Sequence, residues 1–239
     1  MLSACLGIGE IAAHKPAEVD WESLPPECLV AMHWHRDPDL ERILQGYGIL
    51  VTARHPLDVL VSILRFAQYQ PATARWLEGE GGNENALIGA SPTDGRFLEY
   101  ALSDRAAALF SVSVDWSEIA LAVVRYEDLV VHPRQTLVRV FEALGEIAPA
   151  NFDTVVEAHR IDKLPPRSPH HAWRGQPGVW RDVIVEEYRH QIYQRHRSAF
   201  RALGYTIEGV PAPILKDAQQ NWIRLLEQPP AWQAAPATR

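Results

Sequence analysis

The apolar and polar positions of the chain are most sharply ordered between Ile49 and Phe66. Ile49-Leu50-Val51-Thr52-Ala53 is a short, mostly apolar, β-favouring run, the pattern of a strand buried on both faces of a parallel sheet. Arg54 stands at its carboxyl end, and Pro56 takes the first position of the helix that follows, where its fixed φ suits the turn. That helix is apolar on most sides: Leu57, Leu60, Val61 and Leu64 on one, Val59, Ile63 and Phe66 on another. Asp58, Ser62, Arg65 and Tyr69 form one narrow polar stripe at helical spacing. A helix this apolar is buried, and a polar stripe on it needs a partner. Parallel sheets place ligands beyond the carboxyl ends of their strands, which is where Arg54 stands.

The remaining pattern alternates strands with helices. Met1 to Ile8 reads as the back half of an amphipathic helix ended by Gly7 and Gly9, and Ala12 to Glu27 as a proline-punctuated loop. Cys28 to Met32 is a strand that delivers His33-Trp34-His35 to its end; Asp37 then caps a helix begun by Pro38 and running to about Gln45. Ala72 to Asp94 is polar and glycine-rich, equally a lid over an acceptor or plain disorder. Gly95 to Phe110 reads as one helix, Ile119 to Val124 as a strand, and His132-Pro133 opens a helix that buries Leu137, Val140, Phe141 and Leu144 and stops at Gly145. Asn151 to Ala158 is a short helix, Ile184 to Leu203 a long one, and Ala212 to Leu226 another; Gln228 to Arg239 reads as a disordered tail. Residues 1–209 form the expected domain, with 210–239 a helix and tail.

Composition narrows the function. With 47% hydrophobic and 22% charged residues in 239 positions, the chain is long enough for one large α/β domain. A net charge of −7 argues against nonspecific nucleic-acid binding. Lys15, Lys163 and Lys216 are the only lysines among 23 basic residues, so a site built from cations draws mostly on arginine, whose planar fork grips phosphate and sulfate oxygens. Cys5 and Cys28 suggest no disulfide framework and suit a reducing cytoplasm. No apolar run is long enough to span a bilayer and no signal peptide is visible. His33 and His35 point the same way from an extended chain, but no third ligand has convincing spacing; a metal ranks behind both a general base and a satisfied surface histidine.

Four segments, in order, resemble the sulfotransferases that use 3′-phosphoadenosine 5′-phosphosulfate. Arg54-His55-Pro56-Leu57-Asp58-Val59-Leu60-Val61-Ser62 is similar to their R-[ND]-P-x-D-x-x-x-S segment, which binds the 3′-phosphate. The strand ending in His33 resembles the one that ends K-T-H and supplies the general base, with Ala31 and Met32 on the Lys and Thr. Val124 to Gly145 resembles Y-E-D-L-x-x-x-P…L-x-x-[IV]-F-x-x-L-G, and Arg174-Gly175-Gln176-Pro177-Gly178-Val179-Trp180-Arg181 resembles R-K-G-x-x-G-D-W-[KR]. Trp173 stands on that signature's first Arg and Val179 on its Asp.

The resemblance implies a three-layer α/β/α fold with a central parallel sheet, P-loop NTPase-like, without its first strand and phosphosulfate loop. The phosphosulfate-loop pattern P-K-[SA]-G-x-T-W is not found in the chain. The expectation is therefore a polypeptide that starts inside the family's domain, through a misplaced start or a truncated gene, with weak nucleotide binding and turnover that is slow or absent. By resemblance, Arg54, Ser62, Arg174 and Gly175 would hold the 3′-phosphate of the co-substrate, Tyr126 would lie against adenine, and His33 would take the proton from a hydroxyl or amine of a small-molecule acceptor. No metal, membrane or nucleic-acid partner is implied. The residues taken one by one leave plainer readings open: Arg54 paired with a carboxylate, Ser62 capping a carbonyl, Tyr126 a half-buried packing residue, and Arg174 to Trp180 a surface turn with a structural tryptophan. A catalytically inactive nucleotide-binding protein is the main rival; a P-loop kinase is disfavoured, since no G-x-x-x-x-G-K-[ST] occurs.

Overall fold

A computed structural model describes residues 1–69, 84–160, 163 and 176–227. Arg174, Gly175, the glycine-rich stretch 79–83 and the tail 228–239 lie outside the described residues. In chain order the elements are α1 (Leu2–Leu6), β1 (Gly9–Ala13), β2 (Cys28–Met32), α2 (Pro38–Ile43), β3 (Leu50–Ala53), α3 (Pro56–Tyr69), α4 (Gly95–Leu102), α5 (Asp104–Ser117), β4 (Ala122–Arg125), α6 (Tyr126–Val131), α7 (Pro133–Leu144), α8 (Phe152–Ala158), α9 (Trp180–Val183), α10 (Glu186–Arg195), α11 (Arg197–Ala202) and α12 (Leu215–Glu227). The architecture is mixed α/β. The strands form two parallel pairs, β1 with β2 and β3 with β4, in registers that set Ala13 opposite Met32 and Ala53 opposite Arg125. The chain divides into two compact units, Met1–Ala53 with Ser111–Leu164, and Arg54–Phe110 with Pro165–Arg239.

The first unit holds both strand pairs. Asp37 caps α2 by accepting the Asp39 and Leu40 N–H groups, as its place before Pro38 predicts. One apolar cluster gathers Leu40, Val51 and Trp116 with Trp21, Met32, Trp34 and Ile49 around them. The Trp116 indole N–H donates to the Trp34 carbonyl at 2.9 Å, and Arg36 ties Glu41, Glu118 and the Asp115 carbonyl together at 2.7 to 3.0 Å. A second cluster packs α1 on α8 and α7 through Cys5, Leu137, Phe141, Phe152 and Val156. α7 ends where Gly145 takes φ 73°, letting Gly145 and Glu146 return N–H bonds to Glu142 and Phe141; a side chain would strain that left-handed position.

The second unit is helical and built on α3. Leu57, Leu60, Val61 and Leu64 are wholly buried, and so is Asp58 in their midst. Glu84, also buried, receives both the Tyr100 hydroxyl at 2.8 Å and the Arg105 guanidinium at 2.9 Å; burial, with the Glu84 charge second, raises the tyrosine pKa. Arg189, buried on α10, donates to the carbonyls of Ile184 (2.8 Å), Val210 (3.2 Å), Pro211 (3.0 Å) and Arg181. One guanidinium thereby ties α9, its exit and the chain before α12. Desolvation lowers its pKa, yet arginine stays charged in proteins.

Several expectations are corrected. The loop predicted from Ala12 contains the end of a strand, because Gly9 to Ala13 pairs with β2; Gly7 ends the helix before it, and Gly9 opens the strand. The helix predicted over Gly95 to Phe110 breaks at Ser103, whose hydroxyl bonds the Tyr100 carbonyl and caps the new start through the Ala106 N–H. The helix predicted over Ile184 to Leu203 breaks at His196, whose buried ring turns to the Ala101 carbonyl at 2.7 Å. The strand predicted over Ile119 to Val124 runs from Ala122 to Arg125, and Tyr126 begins a helix directly after it. No described helix is long and apolar enough to cross a membrane.

Two outcomes test these packings. Desolvation holds the His196 imidazole below its ordinary value of 6.5, so the unfolded chain binds the proton first. Stability is full above 6.5 and falls as pH drops from there towards the lowered folded value. Urea midpoints measured from pH 8 to pH 5 should decline through that window, and less steeply in His196→Gln. Removing Arg189 as Arg189→Met orphans buried carbonyls and should cost about 3 kcal/mol; Arg189→Lys, lacking the fork, should not restore the denaturation midpoint.

Candidate functional site

The predicted site begins at the start of α3. His55 precedes Pro56 as the helix cap. Its carbonyl accepts the Val59 N–H at 3.1 Å, and its Nδ1 accepts the Leu57 N–H at 3.2 Å. With Nδ1 an acceptor, Nε2 carries the proton and donates to the Thr206 carbonyl at 3.3 Å. His55 thus does by ring nitrogen what an Asn or Asp cap does by oxygen. The same ring stacks on Trp180 at 4.5 Å and 14° and meets Phe200 and Tyr205 edge-on.

Asp58 lies in the first turn of α3. Its carboxylate accepts the Gly178 N–H at 2.6 Å and the Trp180 N–H at 3.1 Å, across 120 and 122 residues of chain. Both bonds go to a fully buried charge, where acceptance from N–H groups is strongest and its loss costs most. Gly178 has φ 87°, a left-handed position that a side chain would strain, so the turn at 178 favours glycine. Trp180 is buried, with the Arg189 guanidinium 4.7 Å from its ring centroid. The described part of this stretch, 176–180, is a partly exposed turn bonded to α3, with a buried tryptophan.

Around that clamp stand the predicted phosphate-binding residues that are described. Arg54, half-buried, is four residues before Asp58, and Ser62, half-buried, is four residues after it on the same face of α3. Arg65, the next member of the stripe, is buried. Arg174 and Gly175 precede the clamped turn in sequence but lie outside the described residues.

The other predicted residues belong to the first unit. His33 leaves the carboxyl end of β2 as an exposed residue. Even so, partial desolvation of the ring, and secondarily the charge of His14, lower its pKa from 6.5, which keeps it an unprotonated imidazole at neutral pH. Tyr126 is half-buried as the first residue of α6. Among the described residues no group of three or more His, Cys, Asp or Glu is placed to hold a metal ion.

Three residues carry more of this geometry than their local sequence suggested. Asp58 was marked by the polar stripe, but not its partners. His55 carried only the hint of standing before Pro56 in a cap position. Arg189 had no signal, since burial singles it out from Arg195 and Arg197 only in the fold. No protein-family model, no curated protein and no solved structure matches the chain.

The clamp makes a direct prediction. Asp58→Asn removes the charge and turns one acceptor into a donor facing N–H groups, so it should destabilise the chain by about 2 kcal/mol. A denaturation midpoint within error of the wild type would show that the carboxylate does not hold the turn.

Proposed function

We propose that the chain is a sulfotransferase-type protein with the three-layer α/β/α fold of that family, which binds 3′-phosphoadenosine 5′-phosphosulfate and passes its sulfuryl group to a hydroxyl or amine of a small acceptor. The observation that carries the reading is the Asp58 clamp. It joins the segment Arg54 to Ser62 and the turn Gly178 to Trp180, the two stretches whose resemblance assigns them to one 3′-phosphate, though 120 residues separate them. Arg54 and Ser62, with Arg174 and Gly175, would hold that phosphate, the guanidinium groups by paired hydrogen bonds and the glycine by close backbone approach. Tyr126 would contact adenine.

In the reaction the acceptor oxygen or nitrogen forms a bond to sulfur while the bond from sulfur to the bridging phosphate oxygen breaks. The electron pair leaves with that oxygen, giving adenosine 3′,5′-bisphosphate, and the acceptor proton passes to the His33 ring. A lowered pKa suits His33 to receive it, since the neutral ring is the form present at pH 7. As in phosphoryl transfer, positioning and charge stabilisation would supply most of the rate. Nucleotide binding without transfer is the second reading, and Ala31 and Met32 before His33 favour it, since neither brings a cation to the base.

Calorimetric titration separates these from an unrelated domain. The wild type should bind adenosine 3′,5′-bisphosphate in preference to ATP, and Arg54→Ala should weaken that binding at least about tenfold, or 1.4 kcal/mol. Equal affinity for ATP, with no effect of Arg54→Ala, would remove the assignment.

A further inference from the structure

The strand that the sequence pattern did not reveal brings new groups beside His33. Because Ala13 pairs with Met32, the residues that follow leave the ladder side by side: His14 and Lys15 from β1, His33 and Trp34 from β2. The Lys15 ammonium lies 5.9 Å from the centre of the Trp34 ring, with the His35 ring edge-on to the same indole at 6.2 Å. Glu18 closes the group, its carboxylate accepting the His14 N–H at 2.7 Å. That bond first, then one from the Lys15 main-chain N–H and last the charges of His14 and Lys15, lower the Glu18 pKa. In a chain that uses arginine for twenty of its 23 basic positions, one of three lysines stands here. An ammonium is a compact charge on a flexible stem, able to follow a moving group where a guanidinium fork fixes a static one.

We propose that the carboxyl edge of the β1–β2 pair is an oxyanion site in which Lys15, with His14, holds the charged end of a sulfate monoester beside His33. The identity of the anion rests on the sulfotransferase reading; the geometry of the edge does not. A base standing alone could take the acceptor's proton but would leave the sulfuryl oxygens uncompensated as the bonds to sulfur change, and fixed positive charge is what such a step needs. Lys15 supplies it from the neighbouring strand, with the His14 ring as a hydrogen-bonding group beside it, and Glu18 offsets part of it.

The experiment follows the histidine ring signals of the full chain by NMR during titration with 4-nitrophenyl sulfate, with inorganic sulfate and neutral 4-nitrophenol as comparison arms. The ester should shift His14 and His33 with a Kd on the order of 1 mM, inorganic sulfate should bind more weakly, and 4-nitrophenol should leave both signals in place. Lys15→Gln should weaken the ester at least threefold and Lys15→Arg should restore it. Glu18→Gln, which keeps an acceptor for the His14 N–H, should tighten it. Opposite responses from two exposed positions report charge, and unchanged melting curves would exclude a folding effect. The proposal is overturned if neither Gln variant alters ester affinity, if 4-nitrophenol shifts the same signals, or if inorganic sulfate binds as tightly as the ester. The sulfotransferase reading fails separately: a wild type without preference for adenosine 3′,5′-bisphosphate over ATP loses that identity while the charge response stands. A wild type with the preference but silent Lys15 and Glu18 variants loses only the oxyanion site.

Discussion

A single buried carboxylate sets the terms for the second unit. Asp58 lies among wholly buried leucines and a valine on α3, where an uncompensated charge is not tolerated. It accepts backbone N–H bonds from Gly178 and Trp180, groups that no amino-acid change can delete except proline. The requirement is therefore on conformation: residue 178 must adopt a positive φ, and residue 180 must begin a helix with its N–H turned back towards α3. Once those conditions hold, the Trp180 ring is delivered to the face of His55, and Arg189 can reach the carbonyls around it.

Aromatic and cationic groups share the work in that region. His55 acts as helix cap, ring donor and stacking surface at once, so one imidazole fixes the helix start, the chain near Thr206 and the tryptophan plane. Arg189 spends its donors on four main-chain carbonyls and meets no carboxylate in those bonds. A guanidinium used in this way is architecture.

Local chemistry was readable wherever a residue's role is decided by its neighbours in sequence. Pro56, the Asp37 cap, the stop at Gly145 and the strands Cys28–Met32 and Leu50–Ala53 stand where the pattern put them. Strand β1 was hidden because Glu10-Ile11-Ala12-Ala13 has little β-branched character and takes its conformation from pairing with β2. The breaks at Ser103 and His196 were hidden because apolar periodicity runs on through both, while the Ser103 hydroxyl bonds a carbonyl of its own turn and the His196 ring bonds the distant Ala101 carbonyl. Of the site, the sequence placed Arg54 and Ser62 about one polar stripe and pointed to the turn before Trp180; that Asp58 joins them depended on a contact no local pattern encodes. Lys15 and His14 were invisible for the same reason as β1.

The span closed by Asp58 also governs when the second unit can form. Its two stretches are separated by the whole of residues 111–164, which belong to the other unit. On a ribosome adding about 5 to 20 residues per second, α3 emerges roughly 6 to 24 s before the turn that neutralises it. During that interval the Asp58 carboxylate lacks both of those N–H donors. A nascent chain halted before residue 178 would hold the Asp58 carboxylate without those two donors.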